Sequence, residues 1–291
     1  MGRIVVGVDG SEHAAAALRW AQREAEVHGH DLTALLAWSL FNQVHAGRDV
    51  TFQPDYGQAD AAAALSATIE GAVGADAAAR IRQIAVCDLP APALLDAARD
   101  AELLVLGSRG LGQLREFLLG SISQTCLHHA LCPVAIVRTA EEGPAATRDR
   151  GRIVVGIDGS ELSSRALRWA IDEARPHGAT VEAVHAWHVP YAVASMAAAM
   201  QPALFEDSAR ELLDRSVEAA SGDVTDVRIE RVLVSGSAAD AILNAAERAD
   251  AVVVGSRGVG GFRGLLLGSV SHQVAHHAAC PVVVVPLEQG E

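Results

Sequence analysis

Short apolar runs alternate along the chain with longer stretches in which apolar residues recur every three or four positions. "RIVVGV" at 3–8 is a continuous, β-branched run of the kind that forms a strand buried on both faces. Residues 11–28 carry Ala17, Leu18, Ala21 and Ala25 at helical spacing, with Ser11 placed to cap the helix and Glu12 in its first turn. The alternation continues with a strand in "LTALLAW" (32–38), an Ala-rich helix over 58–73, a strand in "ARIRQIAV" (79–86) and a short helix in "APALLDAARDA" (91–101). It closes with a strand in "LLVLGS" (103–108), a helix in "SISQTCLHHAL" (121–131) and a strand in "PVAIVR" (133–138). Strands alternating with helices in this way predict an α/β fold, a doubly wound and mainly parallel five-stranded sheet with right-handed crossovers.

The whole pattern is written twice. "GRIVVGVDGSEHAAAALRWA" at 2–21 matches "GRIVVGIDGSELSSRALRWA" at 151–170, and "HHALCPVAIV" at 128–137 matches "HHAACPVVVV" at 276–285. A period this long means a duplicated domain rather than a solenoid. The expected division is a first domain over 1–138, a linker over 139–151 ("TAEEGPAATRDRG", rich in charge, Ala, Gly and Pro) and a second domain over 152–291.

Composition narrows the function. Half of the 291 residues are hydrophobic, enough for two cores. The four cysteines (87, 126, 132, 280) are too few for a disulfide scaffold. Net charge is −13, shared between the halves: 18 acids against 12 arginines before position 151, and 18 against 11 after it. That balance disfavours non-specific nucleic-acid binding, which needs a basic face. All 23 basic residues are arginine, so neither a lysine Schiff base nor a P-loop lysine exists here. No apolar stretch is long enough to span a membrane, and the N-terminal run is too short for a signal peptide, so the expected location is cytoplasmic.

Candidate chemistry lies in the turns. "GSRGLGQLREFLLGS" (107–121) and "GSRGVGGFRGLLLGS" (255–269) keep glycine at the first, fourth and fourteenth places and serine at the last, while the residues between the second and third of these glycines vary. In an open α/β sheet, ligands sit beyond the carboxyl ends of the strands. The turns after strands one and four, "GVDGS" and the glycine frame, share that crevice if the two strands are neighbours. Glycines there would let the backbone adopt positive φ and approach a ligand, exposed N–H groups would form an anion nest, and Gly120-Ser121 would place a helix N-terminus against phosphate. The candidate ligand contacts are Gly107, Ser108, Arg109, Gly110, Gly112, Gly120, Ser121, Ile122 and Ser123, and in the second half Gly255, Ser256, Arg257, Gly258, Gly260, Gly268, Ser269, Val270 and Ser271. Ser121 and Ser123 would add hydroxyl donors. Arg109 and Arg257 read equally as phosphate contacts or as solvated loop charges. Asp9 is placed for a ribose hydroxyl or a metal ion. There is no G-x-x-x-x-G-K-[ST], and the first turn is not G-x-G-x-x-G, so neither a Walker-type NTPase nor a dinucleotide site fits.

With these motifs the chain closely resembles the universal stress protein family in its tandem-domain, ATP-binding form. The resemblance runs from Arg3 to Val137 and from Arg152 to Val285, and its most specific element is the G-x2-G-x9-G-[ST] frame. It implies the strand order 3-2-1-4-5, an adenine nucleotide alpha hydrolase-like sheet, and ATP in each domain. It places the adenosine end near Gly7, Val8, Asp9 and Ala37, and near Gly156, Ile157, Asp158 and Ala186 in the second half. It also implies pairing through the fifth strands, with homo-oligomers, most simply dimers, as the expected assembly, and a role in stress adaptation or dormancy-type growth control. Two other readings stay open at this stage. One is a slow ATP hydrolase or phosphotransferase with magnesium at Asp9 or Asp158; the other is a nucleotide-free assembly module.

Other features change the picture less. Asp88 stands where the second half has Gly236, and a carboxylate there would weaken anion binding at the first site. Gln113 likewise replaces Gly261. Cys126, His128, His129 and Cys132 offer soft metal ligands, but Val274 takes the place of Cys126 in the second copy. No catalytic constellation stands out, since no histidine lies near the capping serine in both copies.

Overall fold

A computed structural model of the chain describes residues 2–45, 52–110, 119–139, 151–188, 203–222, 224–259 and 267–287. The chain divides into two compact units, Met1–Gly143 with Glu288–Glu291, and Pro144–Leu287.

The first unit contains β1 (Arg3–Gly7), α1 (Glu12–His28), β2 (Asp31–Trp38), α2 (Gln58–Val73), α3 (Ala75–Ala78), β3 (Arg82–Cys87), α4 (Pro90–Ala97), β4 (Leu103–Gly107), α5 (Ser121–His129) and β5 (Val134–Val137). Every strand pairing is parallel, and the pairings run β3-β2-β1-β4-β5. Strand β1 is central: Val5 lies between Thr33 of β2 and Leu104 of β4. Its continuous apolar run is explained by that position, since Ile4, Val5 and Val6 are all buried. The helices pack as pairs, α1 with α2 and α4 with α5.

Local chemistry sets the helix ends. The Ser11 hydroxyl accepts the Ala14 N–H at 3.1 Å at the start of α1. Gly29 ends it in the left-handed region, φ 64°. Helix α4 starts one residue earlier than the sequence predicts because Pro90 takes its first position, where a fixed φ is already helical. Strand β3 starts three residues later than predicted. The alanines from 75 onward close a turn of helix instead, with the Arg80 and Ile81 N–H groups bonded back to Ala77 and Ala78.

The second unit repeats the scheme with β6 (Arg152–Gly156), α6 (Glu161–His177), β7 (Thr180–Trp187), α7 (Ala203–Ser221), β8 (Ile229–Ser235), α8 (Ala238–Ala246), β9 (Ala251–Gly255), α9 (Ser269–His277) and β10 (Val282–Val285). Its pairings, again parallel, run β8-β7-β6-β9-β10. Ser160 caps α6 as Ser11 caps α1. Among the described residues, no helix is long and apolar enough to cross a membrane.

Candidate functional site

Each unit has a cavity at the carboxyl ends of its central strands. The first, of about 560 Å³, is lined by Gly7, Val8 and Asp9 after β1, Leu35 and Ala37 of β2, Asn42 and Val44 beyond it, Pro90 and Leu94 of α4, Leu106, Gly107, Arg109 and Gly110 at β4, and Leu119, Gly120, Ser121, Ile122 and Ser123 at α5. The second, of about 570 Å³, is lined by Gly156, Ile157, Asp158, Val184, Ala186, Ala238, Ile242, Val254, Gly255, Arg257, Gly258, Val259, Gly268, Ser269, Val270 and Ser271, with Ser163. The structure therefore brings together all the expected contacts that it describes, except Ser108 and Ser256. Gly112 and Gly260, with Gln113 and Gly261, lie outside the described residues.

The glycine frame is built differently from the sequence expectation. None of its described glycines has a positive φ. Gly107 is needed for packing: a Cβ there would meet the backbone carbon of His13 at 2.8 Å. Gly255 backs onto Leu162 in the same way, with a Cβ-to-Cβ separation of 2.9 Å. Gly110 makes room for the Asp9 carboxylate and Gly258 for that of Asp158. Positive φ occurs instead in the first turn, at Gly10 (82°) and Gly159 (81°).

Ser108 and Ser256 are buried and hold the frame closed. The Ser108 N–H donates to Val137 and its carbonyl accepts from Gly120 at 2.9 Å, while Ser256 bonds Val285 and Gly268 equivalently. The Ser123 hydroxyl donates to the Gly107 carbonyl at 2.9 Å, and that of Ser271 to Gly255 at 2.5 Å, so these hydrogens are committed within the fold.

What faces the cavity is a helix start without a side-chain cap. Gly120 and Gly268 occupy the cap positions of α5 and α9 and supply no acceptor, in contrast to Ser11 and Ser160. The first intrahelical bond of α5 is Gln124 N–H to Gly120, and that of α9 is His272 N–H to Gly268. The N–H groups of Ser121, Ile122 and Ser123, and of Ser269, Val270 and Ser271, therefore precede the helical ladder and add to the positive end of a helix dipole. A helix start of this kind has the polarity that suits an anion. The opposite end, at β2 or β7, is apolar: Leu35, Ala37 and Val44 in the first unit, Val184 and Ala186 in the second.

The two aspartates are tied into the turns. The Asp9 carboxylate accepts the Ser11 N–H at 3.0 Å. That of Asp158 accepts the Ser160 N–H (3.0 Å), the Ser160 hydroxyl (2.6 Å) and the Val259 N–H (2.8 Å). Burial alone would push the Asp158 carboxyl up, but these hydrogen bonds outweigh it and hold the group below the ordinary carboxylate range.

Sequence reading did not single out Asn42, Val44, Leu94 or Ile242. Asn42 and Val44 sit in a loop with no repeated motif. Leu94 and Ile242 carry a usable signal, since each is apolar at the same place in the helix after strand three. Asp88 is not among the residues lining the first cavity. Its carboxylate accepts the Leu89 N–H at 2.6 Å, and it lines a separate groove with Arg99 and His129. Gly236, at φ 142°, is glycine for its own backbone geometry.

The model of the universal stress protein family matches residues 1–138 and 150–286. The chain belongs to the universal stress protein family. Universal stress protein Rv2005c of Mycobacterium tuberculosis is 34% identical over 288 residues, covering 97% of this chain and 96% of its own length. A universal stress protein of Mycolicibacterium smegmatis is also 34% identical, over 290 residues, with the same coverage. A crystal structure of a universal stress protein from Archaeoglobus fulgidus covers 98% of both chains with a TM-score of 0.60 at 21% identity, a likeness of fold. The match along nearly the whole length makes this a tandem-domain universal stress protein.

In this universal stress protein the Cys/His run offers poor metal ligands. Burial, helped by Cys132, pushes the Cys126 thiol up to about 12, and burial pushes Cys132 up to about 11. Neither is poised as a thiolate. Of the tryptophans, Trp20 and Trp38 are buried and Trp169 and Trp187 half-buried.

Proposed function

We propose that this universal stress protein binds ATP in each of its two cavities and acts as a nucleotide-responsive component of stress adaptation or growth control. One observation carries the reading: in both units a single cavity joins an apolar slot at the second strand to an uncapped helix N-terminus at the fourth. Neighbouring strands lie about 4.8 Å apart, so crossing from the second strand over the first to the fourth takes about 10 Å. That span suits a base at the apolar end, a ribose over the first strand beside Asp9 or Asp158, and phosphates at Gly120–Ser123 or Gly268–Ser271. Arg109 and Arg257 line the same cavities and add positive charge.

A hydrolase reading needs a metal on the aspartate. In the second unit both Asp158 oxygens already accept hydrogen bonds, which favours binding over turnover. The same proposal keeps the protein cytoplasmic and self-associating. The test is direct: denature the protein as purified with heat, then chromatograph the supernatant for adenine nucleotide, with equilibrium dialysis against ATP as the second arm. Up to two nucleotides per chain are expected. A nucleotide-free preparation that also fails to take up ATP would overturn the proposal.

A further inference from the structure

The β2 end of the first cavity carries one polar side chain among apolar neighbours. Asn42 lines the cavity with Leu35, Ala37 and Val44. Its backbone is already spent: the Asn42 N–H donates to the Ser39 carbonyl and hydroxyl, each at 3.1 Å, and its carbonyl accepts the Ser39 N–H at 3.0 Å. What remains for the cavity is the amide side chain, which has no hydrogen-bond partner among the described residues.

The turn that carries it is held from both sides. The Gln43 side chain donates to the carbonyls of Leu40 (3.1 Å) and Gln53 (2.6 Å) and accepts the Gln53 N–H (2.9 Å). The Tyr56 hydroxyl donates to the Val44 carbonyl at 2.5 Å, and its ring stands edge-on to Trp38 at the end of β2. The turn is held, so the exposed Asn42 amide is the group left to order when a ligand binds. It presents a donor and an acceptor side by side, the pattern that complements the 6-amino group of adenine and a ring nitrogen beside it.

We propose that Asn42 is the base-reading residue of the first cavity, its amide oxygen accepting from the 6-amino group of adenine and its amide N–H donating to the neighbouring ring nitrogen. The inference rests on the reading of the cavity as an ATP site, and the two fail differently. Nucleotide-stripped, full-length protein carrying Ser269→Asp to disable the second cavity is titrated with ATP, with purine riboside triphosphate (which lacks the 6-amino group) and with inorganic tripolyphosphate. The same titrations are run with Asn42→Ala added. Asn42→Ala should weaken ATP about tenfold, leave tripolyphosphate within about twofold, and abolish the preference for ATP over the 6-unsubstituted analogue. A preference that survives Asn42→Ala overturns the role of Asn42 and leaves the ATP site standing. Parallel weakening of all three ligands also overturns it, because a residue that only shapes the turn would act that way. Failure of ATP to bind before Asn42 is changed overturns the ATP site and the inference together.

Discussion

The two units close the same glycine frame with different side chains. In the second, the Ser160 hydroxyl both accepts the Ser163 N–H and donates to Asp158, and Asp158 reaches across to the Val259 N–H. In the first, Asp9 accepts from Ser11, and the hydroxyl of Ser108 meets His13 Nδ1 at 3.2 Å. The second unit has Leu162 at the place of His13, since both residues back onto the first glycine of their frames. The backbone scheme is identical in the two units: Ser108 and Ser256 bond the fifth strand and the frame's last glycine in the same way. The glycines and the backbone bonds are therefore what the fold requires, and the side chains that differ are where the two sites are free to diverge.

The largest effect should separate glycines whose Cβ position is already filled from glycines where it is open. Alanine at Gly107 would bring a Cβ to 2.8–2.9 Å of His13 backbone, which cannot move without shifting α1. Alanine at Gly120 would meet nothing closer than 3.7 Å. We expect Gly107→Ala to cost about 3 kcal/mol of stability and Gly120→Ala less than about 1 kcal/mol, read from urea unfolding midpoints. Equal costs would mean that the frame is not divided in this way.

The next effect separates fold from binding at the helix start. Ser269 is exposed at the first position of α9. Aspartate there complements the helix dipole and should stabilise the helix by about 0.5 kcal/mol. The same carboxylate would face the phosphates, and even a partly screened like charge is worth a kilocalorie or more at a few ångströms. Ser269→Asp should weaken ATP at the second cavity by at least about tenfold with no loss of thermal stability, and Ser269→Asn should not. Calorimetric titration decides it. Unchanged affinity in Ser269→Asp would place the phosphates elsewhere.

Much of this was legible in the sequence. The strands announced themselves as β-branched runs, and the duplication allowed each to be read twice. The position of the cavity followed from two polar turns at the ends of strands one and four. What the sequence hid was the reason for each residue. A glycine that relieves a clash with His13 looks the same in one dimension as a glycine that bares an N–H to a ligand. Ser123 looks like a hydroxyl donor for phosphate until Gly107 is seen to take its hydrogen. Asp88 looks like a charge in the site because alignment gives its register but not its direction. Asn42 was invisible because its loop has no repeated counterpart, so nothing in the pattern marked it.

The smallest effect tests the His13 difference itself. His13 is half-buried, and burial comes first among the influences that lower its pKa below the ordinary histidine value, followed by Arg109 in the frame and Arg138 beyond β5; Asp9 and Glu12 pull the other way and are outweighed. A histidine with a depressed pKa is disfavoured in the fold once protonated, so the unfolded chain takes up its proton first as pH falls. Its contribution to stability is present in full above the unfolded value near 6.5 and is lost as pH falls through the lower folded value. Leu162 shows that leucine fits this place in the fold, so His13→Leu should remove the pH dependence without opening a cavity. Between pH 7.5 and pH 5 the melting temperature of the native protein should fall by about one degree more than that of His13→Leu, a modest difference because the site is partly solvated. Bound ATP should shrink the difference, because an anion beside Arg109 favours the protonated ring. Parallel pH profiles for the two proteins would show that His13 meets Ser108 for packing alone.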